Sequence, residues 1–466
     1  MLDFLICYEH KAREYLYYSL IRYEMQRRGY SVKMCHYSFR NHWIYQIFSK
    51  PKVVIGPWGH NNLMFPGEYE NTMVDWCMDT LRGRADYYIN MQMEQVFRSD
   101  KAKGNVNLNT QENTFNICWG PLRKQQLLEM GFREDRLLLT GAVHLDCLRP
   151  EMEGLYREKS EIAQAYGLDV KKKWVLFISG FVFASKSVTM MKKEANQLIN
   201  SGVDMSVEDI LRDREVSVLS QYIIMDWIEQ YLKENDLIFI YRPHPGEFET
   251  ECVKKVRMKY PHNFYLIREE PVQQWIKVSN FIILWNSTSV AEVFTAKKKC
   301  CIVQPFPLSS NLEPPLMDEG YVIETFDEFQ KELDGDWTFD KDQFPIKKEN
   351  IYQYYLFDTR PAYINICDYL EEIIKLPKIS SQKSKFTKKI LLSKAYIRFR
   401  YMDFYCFTHI KFSRIFPFGR KKLANAELAY DSSRTKADVE LSKDEKNLYK
   451  RVKKFVYKNR KEKRVC

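Results

Sequence analysis

Long hydrophobic runs and paired cysteines are what this sequence lacks. No run of about eighteen apolar residues occurs among its 466 residues, which argues against a membrane-spanning helix. The eleven cysteines are scattered without a C-x-x-C pair or metal-ligand spacing, so we expect reduced thiols and neither a disulfide framework nor a bound metal. The first ten residues lack a basic region, and Asp3 interrupts their apolar stretch. They therefore indicate a first strand, not a signal peptide.

The net charge of +11 is unevenly distributed along the chain. Residues 378–466 contain 26 Lys and Arg against 8 Asp and Glu, a balance of +18 that leaves −7 for residues 1–377. A length of 466 residues suits two domains and an appendage. We predict domains at 1–160 and 161–377, followed by a basic tail at 378–466.

Residues 1–160 alternate between short apolar runs and helical patterns. Phe4–Tyr8 is a strand pattern, a helix pattern follows from Ala12 to Arg28, and Tyr30–His36 and Val53–Ile55 are strand patterns again. Such alternation is typical of a doubly wound α/β domain, which binds ligands beyond the carboxyl ends of its strands.

Three loops follow strands of this first domain and hold candidate acceptor-side residues. A carboxylate or imidazole in the first loop could take a proton from an acceptor hydroxyl, although a helix-start acid and a solvated imidazole explain that pair equally well. The candidates in chain order are Glu9 and His10, then Trp58 and His60, then Gln92 and Glu94.

Residues 161–377 repeat the alternation and contain two strands with phosphate-compatible turns. In LIFIYRPHPGE the strand ends at Arg242, whose planar fork suits phosphate, and His244 is held between Pro243 and Pro245. In FIILWNSTSVAE the strand is followed by Ser287, Thr288 and Ser289. Ser289 and Glu292 fit a capping box at a helix start, where main-chain amides and nearby hydroxyls form an anion site. We expect the two strands to be parallel neighbours that direct both turns to one crevice.

The two motifs YRPHPGE and NSTSVAE resemble the His-Pro and Ser/Thr motifs of GT-B transferases that use cytidine-activated donors. That superfamily includes bacterial sialyltransferases, Kdo transferases and poly(glycerol-phosphate) transferases. A wider similarity to bacterial surface carbohydrate (capsule or O-antigen) biosynthesis proteins covers YEHKARE, NMQMEQVF, GFREDRLLLTGAVHLD and YYLFDTRPA, or roughly residues 1–374.

The resemblance implies an α/β, GT-B-like fold in which two Rossmann-like domains enclose a cleft. It implies that the second domain holds the nucleotide through His244, Pro245 and the three hydroxyl residues, with Glu292 on the ribose or capping its helix. We assign Arg242 and Gly180 to the same nucleotide side. His244 joins Glu9 and His10 as a catalytic candidate.

The expected function is metal-independent transfer of a glycosyl or glycerophosphoryl group in surface polysaccharide synthesis. The donor would be a nucleotide-sugar or a CDP-glycerol-like compound, the acceptor a glycan or a lipid-linked glycan, and no cofactor would be needed. The alternatives are a non-catalytic glycan-assembly protein and a nucleotide-sugar epimerase.

The tail interleaves basic residues with aromatic residues, such as Phe386, Tyr396 and Phe412. This pattern favours a helical extension on the anionic inner face of the cell membrane, which would place the protein in the cytoplasm as a peripheral membrane protein. Nucleic-acid binding and packing on the body of the protein are the competing interpretations, and we predict no nucleic-acid partner.

Overall fold

The structure, a computed structural model of the chain, describes residues 2–8, 11–36, 51–57, 85–96, 106, 108, 111–200, 206–309, 313–357, 360–378, 450 and 452. Apart from Lys378, Lys450 and Val452, the predicted basic tail lies outside the described residues. In the described part of the chain, no helix is long and apolar enough to cross a membrane.

The described part of the chain contains β-strands and α-helices in both of its halves. The strands are β1 Leu2–Tyr8, β2 Val32–His36, β3 Pro51–Gly56, β4 Tyr87–Asn90, β5 Thr114–Cys118, β6 Leu137–Leu139, β7 Trp174–Ile178, β8 Ile238–Arg242, β9 Phe264–Leu266, β10 Phe281–Leu284 and β11 Cys300–Ile302. The α-helices are α1 Leu16–Arg27, α2 Pro121–Glu129, α3 Val143–Asp146, α4 Lys159–Tyr166, α5 Val188–Asn200, α6 Val207–Glu234, α7 Glu251–Lys259, α8 Val272–Val278, α9 Val290–Thr295, α10 Phe326–Asp334, α11 Lys348–Tyr354 and α12 Ala362–Ile373.

The chain divides into two compact units. Unit 1 consists of Met1–Gln95, Ala102–Gly141 and the chain from Leu356 on, and unit 2 consists of Val96–Lys101 and Ala142–Tyr355. The predicted boundary at residue 160 therefore differs from the structural one, and the predicted second domain loses its last helix to unit 1.

Unit 1 is built on a parallel sheet in the order β2-β1-β3-β4-β5-β6. The first strands follow the 2-1-3-4-5 order of a flavodoxin-like doubly wound sheet, whose topological switch lies between β1 and β3. Residues Phe4–Tyr8 of β1 are fully buried, as expected for a parallel strand covered on both faces.

Local signals in the sequence explain where the helices of unit 1 begin and end. α1 follows a π-helical turn at Lys11–Tyr15 and ends before Gly29, whose φ of +95° is the left-handed conformation that glycine adopts at low cost. Pro121 occupies the first turn of α2, where its missing N–H has no partner to lose.

The closing helix α12 belongs to unit 1, contrary to the predicted domain boundary at residue 377. Its Asn365 side chain donates to the Thr140 carbonyl over 3.2 Å, and the Tyr87 hydroxyl donates to the Pro377 carbonyl over 2.8 Å. The buried residues of α12 include Ile366, Cys367 and Leu370, which form an apolar face. The chain thus returns to the first unit to bury that face.

Arg28, next to the C-terminal end of α1, links α1 to α12 by ion pairs. Its guanidinium lies 2.9 Å from the Glu24 carboxylate, 2.8 Å from Asp368 and 2.7 Å from Glu371. Glu24 is only 1% exposed, so its charge is stabilised by the arginines around it.

Unit 2 is built on a second parallel sheet in the order β11-β10-β7-β8-β9. Counted from β7, this is the 3-2-1-4-5 order of a Rossmann-type sheet, and its switch lies between β7 and β10. The strands pack against α6, which begins at a capping box of Ser206 and Asp209 and buries Trp227 and Ile228.

The α/β class and the prediction of two units built on Rossmann-like parallel sheets are confirmed. Apolar runs of three to seven residues formed the strands because both faces of a parallel sheet are covered. Turn residues separated them from the helices, so the periodicity of the sequence was sufficient to predict the class.

Candidate functional site

The carboxyl ends of three central strands of unit 2 form one edge with the predicted donor-side residues. Leu284, Ile178 and Arg242 are aligned in register across β10, β7 and β8. The residues that follow each strand therefore leave the sheet at the same edge. The two motif strands are parallel, as predicted, but they are not neighbours, since β7 pairs with both and separates them.

Gly180, just after β7, lies against the chain that follows β10. A Cβ atom at this position would lie 2.7 Å from the Asn286 carbonyl oxygen and 2.9 Å from that of Trp285. Only a residue without a side chain allows so close an approach. Nearby, the Phe181 ring stacks on the Trp285 indole at a centroid distance of 3.8 Å. The switch point of this sheet is thus closely packed around Gly180.

Replacing Gly180 by Ala is expected to lower the free energy of unfolding by about 1–3 kcal/mol, because the new methyl group forces the β10 turn outward. Denaturant unfolding measures this loss. Gly246→Ala is the matched control, since its Cβ would meet the nearest atom, His244 Nδ1, at an ordinary 3.6 Å. Equal stability of the two variants would contradict the close approach at Gly180.

His244 is exposed, and its ring orientation is set by its own turn. The Gly246 backbone N–H donates to His244 Nδ1 over 3.1 Å. A backbone N–H can only donate, so Nδ1 carries no proton and the neutral imidazole has its proton on Nε2. In this turn His244 therefore accepts at Nδ1 and can donate through Nε2.

Arg242 does not present its fork to the edge in the predicted way. Its guanidinium donates to the main-chain carbonyls of Glu269 over 2.7 Å and Glu270 over 2.6 Å, with a longer contact to Ile267. Burial lowers the pKa of Arg242 to about 10. The phosphate role predicted for Arg242 is corrected to a structural one, in which it fixes the segment after β9.

The Ser/Thr turn after β10 lacks the predicted capping box. Ser289 precedes α9 without a side-chain hydrogen bond to the helix, and its N–H donates to Ser287 Oγ over 3.3 Å. α9 has only six residues, so its dipole is a weak source of anion affinity. The hydroxyl groups of Ser287 and of the exposed Thr288 are the donors that this turn offers.

Two buried polar atoms at this turn have no hydrogen-bond partner. They are Trp285 Nε1 and Asn286 Oδ1, and Asn286 also has a left-handed φ of +48°. Unsatisfied buried polar atoms are uncommon in folded proteins, and strained backbone is concentrated at ligand sites. Both features lie at the switch point where ligands of Rossmann-type sheets bind.

Glu292 lies on α9 and is 8% exposed. Burial raises the pKa of its carboxyl group to about 7. The capping alternative raised for Glu292 is absent from the structure, because the Ser289 N–H, from which a capping carboxylate would accept, donates to Ser287 Oγ instead.

Sequence reasoning missed a buried polar group beneath the His-Pro turn. Ser179, Tyr241 and Glu247 are each at most 3% exposed and contact one another. The signal was present in the sequence, since Tyr241 and Ser179 are the polar ends of otherwise apolar strands. Glu247 closes the YRPHPGE motif.

The acceptor-side candidates of unit 1 have different outcomes. Glu9, His10, Trp58 and His60 lie outside the described residues. Glu94 is exposed, and its carboxylate lies 3.8 Å from the Arg13 guanidinium.

Pro245, a nucleotide-side candidate of unit 2, is exposed next to His244.

Gln92 is fully buried, so the predicted contact with an acceptor is corrected. Its side-chain oxygen accepts from Arg123 Nε over 2.8 Å, and its side-chain amide donates to Asn116 over 3.4 Å. Burial lowers the pKa of Arg123 to about 10. Sequence reasoning missed this arginine, which with Gln92 stabilises the ends of β4 and β5 from inside.

Comparison with solved structures finds similar chains, whereas no family model and no curated protein sequence matches. The S. aureus MnaA–UDP co-structure is 15% identical and has a TM-score of 0.47 over 81% of this chain and 99% of its own. The wall teichoic acid polymerase TagF, in a structure with CDPG, is 14% identical, with a TM-score of 0.47 over 80% and 89%. UDP-GlcNAc 2-epimerase from Neisseria meningitidis bound to UDP-GlcNAc is 11% identical, with a TM-score of 0.47 over 80% and 100%. The strand orders of the two sheets define the fold independently of these alignments.

Proposed function

We propose that the protein transfers a glycosyl or glycerophosphoryl group from a nucleotide-activated donor, of cytidine type, without a metal ion. The observation that carries the proposal is the shared edge of β10, β7 and β8, where His244, Gly180 and the Ser287–Ser289 turn follow three strands aligned in register. This edge flanks the switch point at which Rossmann-type sheets bind nucleotides.

In this proposal the nucleotide phosphate is met by hydrogen-bond donors. The hydroxyls of Ser287 and Thr288 donate to phosphate oxygens, and His244 Nε2–H donates to the oxygen that leaves with the nucleotide. Hydrogen bonds from fixed donors to a developing negative charge lower the barrier to bond cleavage. The bond from the transferred group to the leaving phosphate oxygen breaks as the acceptor hydroxyl attacks.

The base that takes the acceptor proton is assigned from the sequence to Glu9 or His10. The acceptor class, a glycan or lipid-linked glycan of bacterial surface polysaccharide, is likewise a proposal that the resemblance supports.

The basic tail supports attachment to the cytoplasmic face of the membrane. Deletion of the chain beyond Pro377 tests this, since the shortened protein should no longer sediment with anionic liposomes.

A thermal-shift panel of CMP, CDP, UDP and GDP tests the donor site. Cytidine nucleotides at about 100 times their Kd should stabilise the protein by about 2.7 kcal/mol, which raises Tm by several degrees. The Thr288→Val and Ser287→Ala variants should reduce the shift. Absence of any shift in the wild type would exclude a nucleotide donor, and a shift by UDP alone with turnover in the absence of acceptor would identify an epimerase instead.

A further inference from the structure

Both main-chain polar groups of His244 are bonded to one buried residue, Glu247. The Glu247 N–H donates to the His244 carbonyl over 2.9 Å, and the His244 N–H donates to Glu247 Oε2 over 3.3 Å. Glu247 is 2% exposed and His244 is exposed, so a buried carboxyl group supports a surface imidazole from below.

The Glu247 carboxyl group is itself held in a closed ring of contacts. Ser179 Oγ lies 2.7 Å from Glu247 Oε2 and 2.9 Å from Tyr241 Oη, and the Tyr241 hydroxyl also bonds Glu247 Oε1. Gln221 extends the network, since its side-chain amide donates to Tyr241 Oη over 3.0 Å and its oxygen accepts from Thr250 over 3.0 Å. The ring connects the ends of β7 and β8.

We infer that Glu247 is a positioning residue, which through its ring with Ser179 and Tyr241 holds the His-Pro turn so that His244 keeps its proton on Nε2. The importance of that proton rests on the proposed function, in which Nε2–H meets the leaving phosphate. The positioning itself is a property of the turn and can be measured without any substrate.

The ring has one more oxygen–oxygen contact than its two hydroxyl groups have protons. The three oxygen–oxygen contacts of the ring need three protons, but the hydroxyls of Ser179 and Tyr241 supply only two. While Glu247 is ionised, Tyr241 and Ser179 both donate to it, and the contact between the two hydroxyls has no proton of its own. If Glu247 binds a proton and donates it to Tyr241, then Tyr241 can donate to Ser179, and all three contacts become hydrogen bonds while the other carboxyl oxygen still accepts from the His244 N–H. Burial raises the pKa of the Glu247 carboxyl group, against the opposing effect of hydrogen bonds from Tyr241 and Ser179.

A glutamine at position 247 can replace every one of these contacts. Its amide nitrogen can donate to Tyr241, Tyr241 to Ser179, and Ser179 to the amide oxygen, which also accepts from the His244 N–H. A leucine side chain can make none of them. Because Tyr241 can still donate to Ser179, the leucine leaves two donors, the Ser179 hydroxyl and the His244 N–H, without their acceptor. Glu247→Gln and Glu247→Leu therefore form a matched pair that separates polar support from volume.

The test is the tautomer of His244, read by long-range ¹H–¹⁵N correlation in imidazole-labelled protein. The His244 signal is assigned by its loss in His244→Asn, and exposed His262 of the same unit serves as the internal reference. We expect the Nε2–H tautomer in wild type and in Glu247→Gln, and a mixture of tautomers in Glu247→Leu. A pure Nε2–H tautomer in Glu247→Leu, or its loss in Glu247→Gln, would overturn the inference.

If Glu247→Leu does not fold, Tyr241→Phe carries the same test by removing one hydroxyl of the ring. We expect it to lower the Nε2–H fraction of His244, and an unchanged fraction would overturn the inference. If the tautomer of His244 changes with residue 247 as expected but the protein binds no nucleotide, the proposed function is wrong and this inference is unaffected. If the protein binds nucleotide but the tautomer of His244 is the same in every variant at position 247, this inference is wrong and the proposed function is unaffected.

Discussion

At pH 8 the Glu292→Gln variant is expected to be more stable than the wild type by up to about 3 kcal/mol, and near pH 4.5 the two should be nearly equal. Glu292 is 8% exposed, and burial raises its pKa from 4.5 to about 7. The folded protein therefore binds this proton more tightly than the unfolded chain does.

The direction of the pH effect follows from that difference. A carboxyl group whose pKa is raised on folding contributes stability that is complete below pH 4.5 and is lost as the pH rises through about 7. Glutamine is neutral throughout and resembles the protonated acid, so it avoids the loss. Its advantage over the wild type should therefore appear between these two pH values and level off above pH 8.

Guanidinium unfolding at pH 5 and pH 8 measures the effect. Glu251→Gln is the control, because the Glu251 side chain is 85% exposed and its loss should change stability by less than about 0.5 kcal/mol at either pH. An equal response of Glu292→Gln at both pH values would show that the carboxyl group is not held neutral by its site.

The strands and the edge of unit 2 could be predicted because they depend on local pattern. Apolar runs that end in polar turns predicted β8 and β10 and the residues that follow them. The pairing order is a non-local property, and the short sequence distance between the two motifs suggested adjacency. In the structure β7 lies between the two motif strands, and the chain after β10 closely approaches Gly180, which follows β7.

Side-chain roles were less predictable than strands, since they depend on partners far along the chain. Arg242 looked suited to phosphate, but carbonyls 25 or more residues away occupy its fork. Gln92 followed a strand like a ligand residue, yet it turns inward to Arg123. Residue type at a strand end indicates where a site lies, and burial then decides which of those side chains can reach a ligand.

The helix α12 illustrates the same limit at the level of domains. The helix has an apolar face, but the sequence of that face does not reveal which element covers it. The partner is α1, which Arg28 links to Asp368 and Glu371. A boundary drawn from sequence order alone therefore assigns α12 to the wrong unit.

Replacing His244 by Asn is expected to lower turnover by about 100- to 1,000-fold and to leave the fold intact. The Asn side-chain oxygen can occupy the position of Nδ1 and accept from the Gly246 N–H, which in the wild type donates over 3.1 Å. Asn has no atom at the position of Nε2. The substitution thus keeps the turn and removes only the donor that is proposed to meet the leaving phosphate.

Turnover is measured as the release of nucleotide from the donor, whose nucleotide the thermal-shift panel identifies. The same panel measures nucleotide binding. We expect the Kd of the nucleotide to change by less than about 10-fold, since the hydroxyls of the Ser287–Ser289 turn remain. His262→Asn is the matched control, because His262 is also exposed and follows a proline in unit 2. It precedes β9, which is parallel to β8, so it lies toward the amino ends of the strands and not at the carboxyl edge. Full turnover in His244→Asn would remove His244 from the reaction.

The inferred dependence of His244 on Glu247 also predicts how substitutions at the two positions combine in their effect on turnover. If Glu247 acts only through His244, Glu247→Leu should lower turnover in the wild-type background but by less than about 3-fold in the His244→Asn background. Independent losses that multiply in the double variant would mean that Glu247 supports the reaction by another route. The His244 carbonyl accepts from the Glu247 N–H, and the His244 N–H donates to the Glu247 carboxylate. The losses of turnover caused by the two substitutions should therefore overlap and not multiply.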